Sequence, residues 1–120
     1  MNFIFDNNTP IYLQLAKQLK IHIVSGKLEP GERLPSVRDL SLELKVNPNT
    51  LQKALFELEE MGLIFTERTN GKFVTQDGAL IEKYKKEYAD LLCRDFIFNM
   101  KELGLSEDEA IEYLSKDGGY

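Results

Sequence analysis

The chain has 120 residues, 42% hydrophobic and 29% charged, with 15 Lys plus Arg against 20 Asp plus Glu and a net charge of −5. That length supports one domain with a short appendage, since a single core takes ~100 to 150 residues, and it excludes two large enzymatic domains. The proportions are globular and no membrane-length apolar run is free of charge, so neither a disordered chain nor a transmembrane segment is expected.

The opening Met1-Asn2-Phe3-Ile4-Phe5-Asp6 lacks the basic start and long apolar stretch of a signal peptide, so the expected location is the cytoplasm. Cys93, the single cysteine, has no partner for an intrachain disulfide and reads as a small buried apolar group. Charge is unevenly spread. Residues 1–76 carry 9 basic and 9 acidic side chains, whereas residues 77–120 carry 6 and 11, so the whole negative excess falls in the tail. Bulk charge argues against a nucleic-acid partner, and any DNA contact has to come from local placement.

A first helix is expected from Thr9-Pro10, with Thr9 as N-cap and Pro10 at the first helical position, its apolar face formed by Tyr12, Leu15, Ala16, Leu19 and Ile23 until Ser25-Gly26. Residues 28–35 contain a Pro-Gly turn and a proline stop and read as an extended connector, with a small edge strand around Arg33. Ser36-Val37-Arg38-Asp39 caps a short second helix bearing Val37, Leu40 and Leu44. After a break at Lys45-Val46-Asn47, Asn47 caps and Pro48 opens a third helix with Leu51, Ala54, Leu55, Leu58 and Met61 inward, ended by Gly62. Two short helices joined by a tight turn with a buried valine make a helix-turn-helix.

Residues 63–75 are two β-prone runs joined through Asn70-Gly71, the preferred pair for a type I′ hairpin turn. Helices followed by a hairpin give a mostly α fold with a small β-hairpin wing: a winged helix-turn-helix head over residues 1–76. Residues 77–120 form a second, helical region. A long helix from about Ala79 to Leu103 carries a stripe of Leu80, Tyr84, Tyr88, Leu91, Leu92, Phe96, Met100 and Leu103, with Gly104 as its C-cap. A last helix starts at Ser106, with Glu109 completing a capping box, and carries Ala110, Ile111 and Leu114 before Gly118-Gly119. These 44 residues are too few for an independent core, so the stripe is expected to pair two chains.

Little supports catalysis. His22 and Cys93 each sit inside a predicted helix, His22 has no ligand-type neighbour one turn away and reads as a helix-surface residue, and no glycine-rich phosphate loop follows a strand. No metal or other cofactor is expected, and clusters such as Glu57, Glu59 and Glu60 read as solvated helix faces.

The helix-turn-helix and wing are better placed for chemistry. The start of the second helix of such a unit enters the major groove, and here it presents Asn47, Pro48, Asn49 and Thr50, then Gln52 and Lys53 one turn on. Asn and Gln pair bidentately with adenine, Thr meets a base or a phosphate, and Lys suits guanine or phosphate. The plainer reading is that Asn47 only caps and the others are ordinary exposed residues. Arg38 is either a phosphate contact or an ion-pair partner of a nearby acid such as Asp39. At the wing, Arg68 and Lys72 flank Asn70-Gly71, a basic tip suited to the minor groove or else a solubilised turn.

Taken together, Gly26-x-Leu28-x-Pro30-Gly31-x-x-Leu34-Pro35-Ser36-x-Arg38-x-Leu40, followed by Leu44-x-Val46-Asn47-Pro48-x-Thr50-Leu51-x-x-Ala54-Leu55-x-x-Leu58-x-x-x-Gly62-Leu63-Ile64, resembles the winged-helix domain of GntR-family bacterial transcription regulators. The short tail with Leu103-Gly104-Leu105-Ser106 is similar to the YtrA subfamily, in which a small dimerisation region replaces a large ligand-binding domain. The resemblance implies DNA contacts from Arg38, from Asn47, Asn49, Thr50 and Gln52, and from Gly71 and its neighbours. Where many members have arginine at the opening of the recognition helix, this chain has Pro48, which removes one reading side chain. It implies a homodimeric repressor on an inverted-repeat operator in double-stranded DNA, with the acidic tails away from the phosphates beyond a Debye length of ~8 Å. Any small-molecule effector is unassigned; Tyr84, Tyr88, Phe96 and Phe98 are the aromatic candidates to line its site, or else core and interface residues. The rival readings are a winged-helix protein-interaction module without DNA binding and a small enzyme or ligand carrier.

Overall fold

In a computed structural model, which describes residues 1–116, Pro10 holds φ −54° and ψ 139°, an extended setting, so helix α1 begins one residue later and spans Ile11–Val24. The expected Thr9 cap does not form, because Pro10 takes the cap position and no side chain caps the helix. Gln14 organises the preceding arm instead: its Nε2 donates to the carbonyls of Thr9 (2.8 Å) and Asp6 (3.0 Å), and its Oε1 accepts from the Asp6 N–H (2.9 Å).

Helix α2, Val37–Leu44, starts at Ser36, whose Oγ accepts from the Asp39 N–H at 3.1 Å, and ends at Lys45 in the left-handed region with φ 57°. Helix α3, Pro48–Glu60, is capped by Asn47, whose Oδ1 accepts from the Asn49 N–H at 2.8 Å. Val46, expected to be buried at the corner between α2 and α3, is only half-buried. Leu15, Leu19 and Ile23 of α1 meet Leu40 and Leu44 of α2 and Leu51, Leu55 and Leu58 of α3 in one core, closed by Leu63, Ile64 and Val74. Each such side chain contributes roughly 1.5–3 kcal/mol by leaving water, most of it offset by the entropy of ordering the chain.

The hairpin pairs β1, Ile64–Glu67, with β2, Gly71–Val74, antiparallel, matching Ile64 to Val74, Phe65 to Phe73, Thr66 to Lys72 and Glu67 to Gly71. Its loop is therefore Arg68-Thr69-Asn70, and the two-residue Asn-Gly turn expected from the sequence is not formed. The Asn70 N–H donates to the Glu67 carbonyl at 3.2 Å, and only Gly71 of the pair takes positive φ, at +99°. Burial explains the change: an Asn-Gly turn would place Ile64 opposite Asp77, whereas the observed register puts Ile64 and Val74, both buried, side by side. The edge strand expected around Arg33 reduces to a single antiparallel bridge between Arg33 and Phe73.

Helix α4 spans Gly78–Glu102 and helix α5 Glu107–Ser115. The chain divides into two compact units, Met1–Lys85 and Lys86–Tyr120, and the division falls inside α4. Its first turns belong to the head: Ile81 is buried, Leu80 and Tyr84 pack against the same core, and the Tyr84 hydroxyl donates to the Met61 carbonyl at 3.3 Å. Gly62, at φ +78°, admits this approach, since a Cβ there would lie 3.2 Å from Leu80 Cδ2. Leu80 and Tyr84, expected in an intermolecular stripe, are thus committed within their own chain. In the second unit Ser106 and Glu109 form the expected capping box, and Gly104 takes φ +85°. Ala110 is buried, but Ile111 and Leu114, expected inward with it, are about half exposed. The Gly118-Gly119 end lies outside the described residues.

His22, expected as a helix-surface residue, is half-buried. Its ring meets Phe3 edge-on at 5.0 Å, and its Nδ1 lies 3.1 Å from the Gln18 carbonyl. Burial holds its pKa below the ordinary 6.5, assisted by Lys27 and the N-terminal ammonium and opposed by the Gln18 bond. As pH falls below about 6.5 the unfolded chain takes up the proton before the folded one, so folding weakens toward acid. His22→Leu should flatten that decline between about pH 7 and 5, read from melting temperatures; an equally steep decline in the variant would contradict the assignment.

Among the described residues no helix is long and apolar enough to cross a membrane, and no group of three His, Cys, Asp or Glu side chains is placed to hold a metal.

Candidate nucleic-acid interface

Helix α3 buries Leu51, Ala54, Leu55 and Leu58, and at about 100° per residue this turns Asn49, Gln52, Lys53 and Phe56 to the opposite face. They line a groove of about 520 Å³ together with Glu59 and Lys72. Asn47, Pro48 and Asn49 are exposed at the helix start, and Thr50 is half-buried. The side-chain amides of Asn49 and Gln52 make no hydrogen bond among the described residues, so their full donor and acceptor sets face solvent.

The lysines differ from what their spacing suggests. Lys53 Nζ lies 4.0 Å from the centre of the Tyr12 ring, a cation–π contact that holds its charge against α1. Lys72 forms an ion pair with Glu59 and donates to Thr66 Oγ1 at 2.9 Å. Partial burial pushes the Glu59 carboxyl up, but the hydrogen bonds from Lys72 and Thr66 outweigh this and hold it below the usual carboxylate range. Glu59 therefore stays ionised at neutral pH and offsets the Lys72 charge, leaving Lys72 a bridge between wing and helix more than a free cation.

Arg38 is exposed in the first turn of α2 and has no ion-pair partner among the described residues, so the pairing with Asp39 weighed from sequence is not made. Arg68 is exposed on the wing loop, where Asn70 Nδ2 donates to Glu67 Oε2 at 3.1 Å. Arg68, Gly71 and Lys72 gather in a second cleft, of about 300 Å³, between the wing and the start of α2. Two residues on these surfaces escaped sequence reasoning. Phe56 is 56% exposed within the α3 groove, and the helical spacing from Asn49 and Gln52 was the signal for it. Arg33 lines the second cleft, and no local pattern announces that, because the bridge to Phe73 places it.

In the second unit, Leu91, Leu92 and Phe98 are about half exposed or more, and Tyr88, Phe96 and Met100 are half-buried. Cys93 is exposed and not buried as expected, and with Arg94, Ile97, Phe98, Lys101 and Glu107 it lines a largely apolar cleft of about 430 Å³.

Residues 11–74 match the sequence model of bacterial regulatory proteins of the gntR family. A GntR family transcriptional regulator from Listeria monocytogenes is similar in structure, with a TM-score of 0.87 and 40% identity over 94% of this chain and 99% of that one. The HTH-type transcriptional repressor YtrA of Bacillus subtilis is 42% identical over 71 residues, which is 59% of this chain and 55% of YtrA. The DNA-binding domain of AraR, solved in complex with operator ORX1, has a TM-score of 0.56 and 25% identity, covering 62% of this chain and 95% of that one.

Proposed function

The chain belongs to the gntR family of bacterial regulatory proteins and is a DNA-binding transcriptional regulator, not an enzyme; from that premise we propose that it acts in the cytoplasm as a homodimeric repressor on an inverted-repeat operator. The observation that carries this reading is the start of α3, where Asn49 and Gln52 present amides with no partner among the described residues above a fully packed helix underside. Bidentate amides of this kind read adenine in the major groove.

Asn47, Pro48 and Thr50 shape the entry of that helix, while Arg38, Arg68, Asn70 and Gly71 serve the sugar-phosphate backbone and the wing groove, and Lys53 and Lys72 support the surface from beneath. The dimer is supported by the second unit, where apolar side chains of α4 lie uncovered in a segment too short to bury them alone. Tyr88, Leu91, Leu92, Phe96 and Met100 are its interface; Leu80 and Tyr84 are withdrawn from it. Repression is supported by the relative YtrA, an HTH-type transcriptional repressor.

Arg38→Ala should weaken binding to all sequences alike and lower the slope of log affinity against log salt by about one unit, measured by fluorescence anisotropy across a salt series. An unchanged slope would remove Arg38 from the interface. The reading as a whole is tested by selecting bound fragments from random DNA. The expected product is an inverted repeat with half-sites about one helical turn apart, ~34 Å, or a little more. Failure to retain any specific fragment at low salt would favour a protein-interaction module in its place.

A further inference from the structure

Arg33 belongs neither to the helix-turn-helix nor to the wing loop, and the residues assigned above leave it without a role. Its backbone is pinned beside β2 by the bridge to Phe73 and by the Leu34 N–H, which donates to the Lys72 carbonyl at 2.8 Å. From there its side chain runs along the hairpin to Gly71. A Cβ at Gly71 would lie 3.4 Å from Arg33 Nε and 3.6 Å from its Nη2, ordinary contact distances that place the guanidinium beside the wing backbone.

The cleft at this point is also lined by Ser36, Thr69, Lys72 and Arg68. Its charges sort cleanly. Lys72 is matched by Glu59, and Glu67 accepts from the Asn70 amide. Neither Arg33 nor Arg68 has an acidic partner among the described residues, and both are exposed. Two guanidinium groups lining one cleft repel each other, and an anion between them removes the repulsion while accepting paired N–H donors, the geometry in which arginine binds phosphate best. Ser36 places the cleft two residues before Arg38, on the margin that the reading above turns toward the DNA backbone.

We propose that Arg33 is a phosphate-binding residue of this regulator: its guanidinium, seated against Gly71, holds with Arg68 one phosphodiester of the operator backbone beside the wing. The inference rests on the DNA-binding reading and adds a contact that the recognition motif does not contain.

The test uses the full chain and the fragment enriched from random DNA. Arg33→Gln should lower the salt slope by about one unit and weaken enriched and random fragments by the same factor, with an unchanged melting temperature. Arg33→Lys should keep the slope and recover only part of the affinity, because a point charge replaces the fork. Methylphosphonate substitution, phosphate by phosphate, should find one position that weakens the wild-type chain and leaves Arg33→Gln unaffected. An unchanged slope in Arg33→Gln, or equal sensitivity of both chains at every phosphate, overturns the inference alone. A wild-type chain that binds no duplex overturns the DNA-binding reading and this inference with it. The phosphate scan on the wild-type chain and the Arg33→Lys variant keep the test decisive should Arg33→Gln fold poorly.

Discussion

Replacing Leu92 with glutamate should leave a folded chain that sediments as a monomer and whose affinity for the inverted repeat falls by about 10²- to 10⁴-fold. Leu92 is 52% exposed in the isolated chain, so the substitution removes nothing from either unit's interior. In a dimer built on Tyr88, Leu91, Leu92, Phe96 and Met100 the same change brings an unpaired carboxylate into an apolar interface, a cost of several kcal/mol. The loss on DNA is large because a second head held by the first binds at an effective concentration near millimolar, an advantage that vanishes with the dimer. Affinity for a single half-site should be unchanged, which separates a dimerisation defect from a damaged head. Sedimentation equilibrium with anisotropy on whole and half operators decides the matter. A variant that remains dimeric, or that loses half-site binding as well, would show that the stripe is not the interface.

Gln52→Ala should cost about 1–3 kcal/mol of operator affinity, roughly 5- to 150-fold, and relax the base preference at one position of each half-site. Alanine is the better helix former, and the Gln52 side chain is exposed without a partner among the described residues, so the melting temperature should not fall. The loss would therefore belong to the complex and not to the fold. Competition with fragments altered one base pair at a time measures it. If affinity and base preference both survive, Gln52 is a spectator and the reading of the α3 face contracts to Asn49 and its neighbours.

Much of this was legible from the chain. Ser36, Asn47 and Ser106 cap the helices at which they were expected, and the buried faces of α1, α2 and α3 follow the apolar spacing. Thr9 failed as a cap because Pro10, whose φ of −54° suits a helix, takes an extended ψ of 139° and itself occupies the cap position. Asn70-Gly71 failed as a two-residue turn for a different reason: the turn preference is worth less than the burial of Ile64 and Val74, and the hairpin slid to the register that satisfies them. The exposure of the α3 start was legible from helical spacing, whereas the partners of the nearby cations were not. Spacing alone placed Lys53 and Lys72 on the DNA face, but Tyr12 and Glu59 claim their charges from elements elsewhere in the chain.

Caps and helical stripes join residues within one or two turns of each other, so the amino-acid order alone dictates them, and with them the head's architecture and the exposed amides of α3. The hairpin register, the commitment of Leu80 and Tyr84 to the head, the neutralised Lys72 and the seat of Arg33 against Gly71 were settled only when remote segments met. Each depends on which of several distant partners a packed core brings within reach, and burial and charge pairing make that choice in three dimensions, where neighbours along the chain have no say.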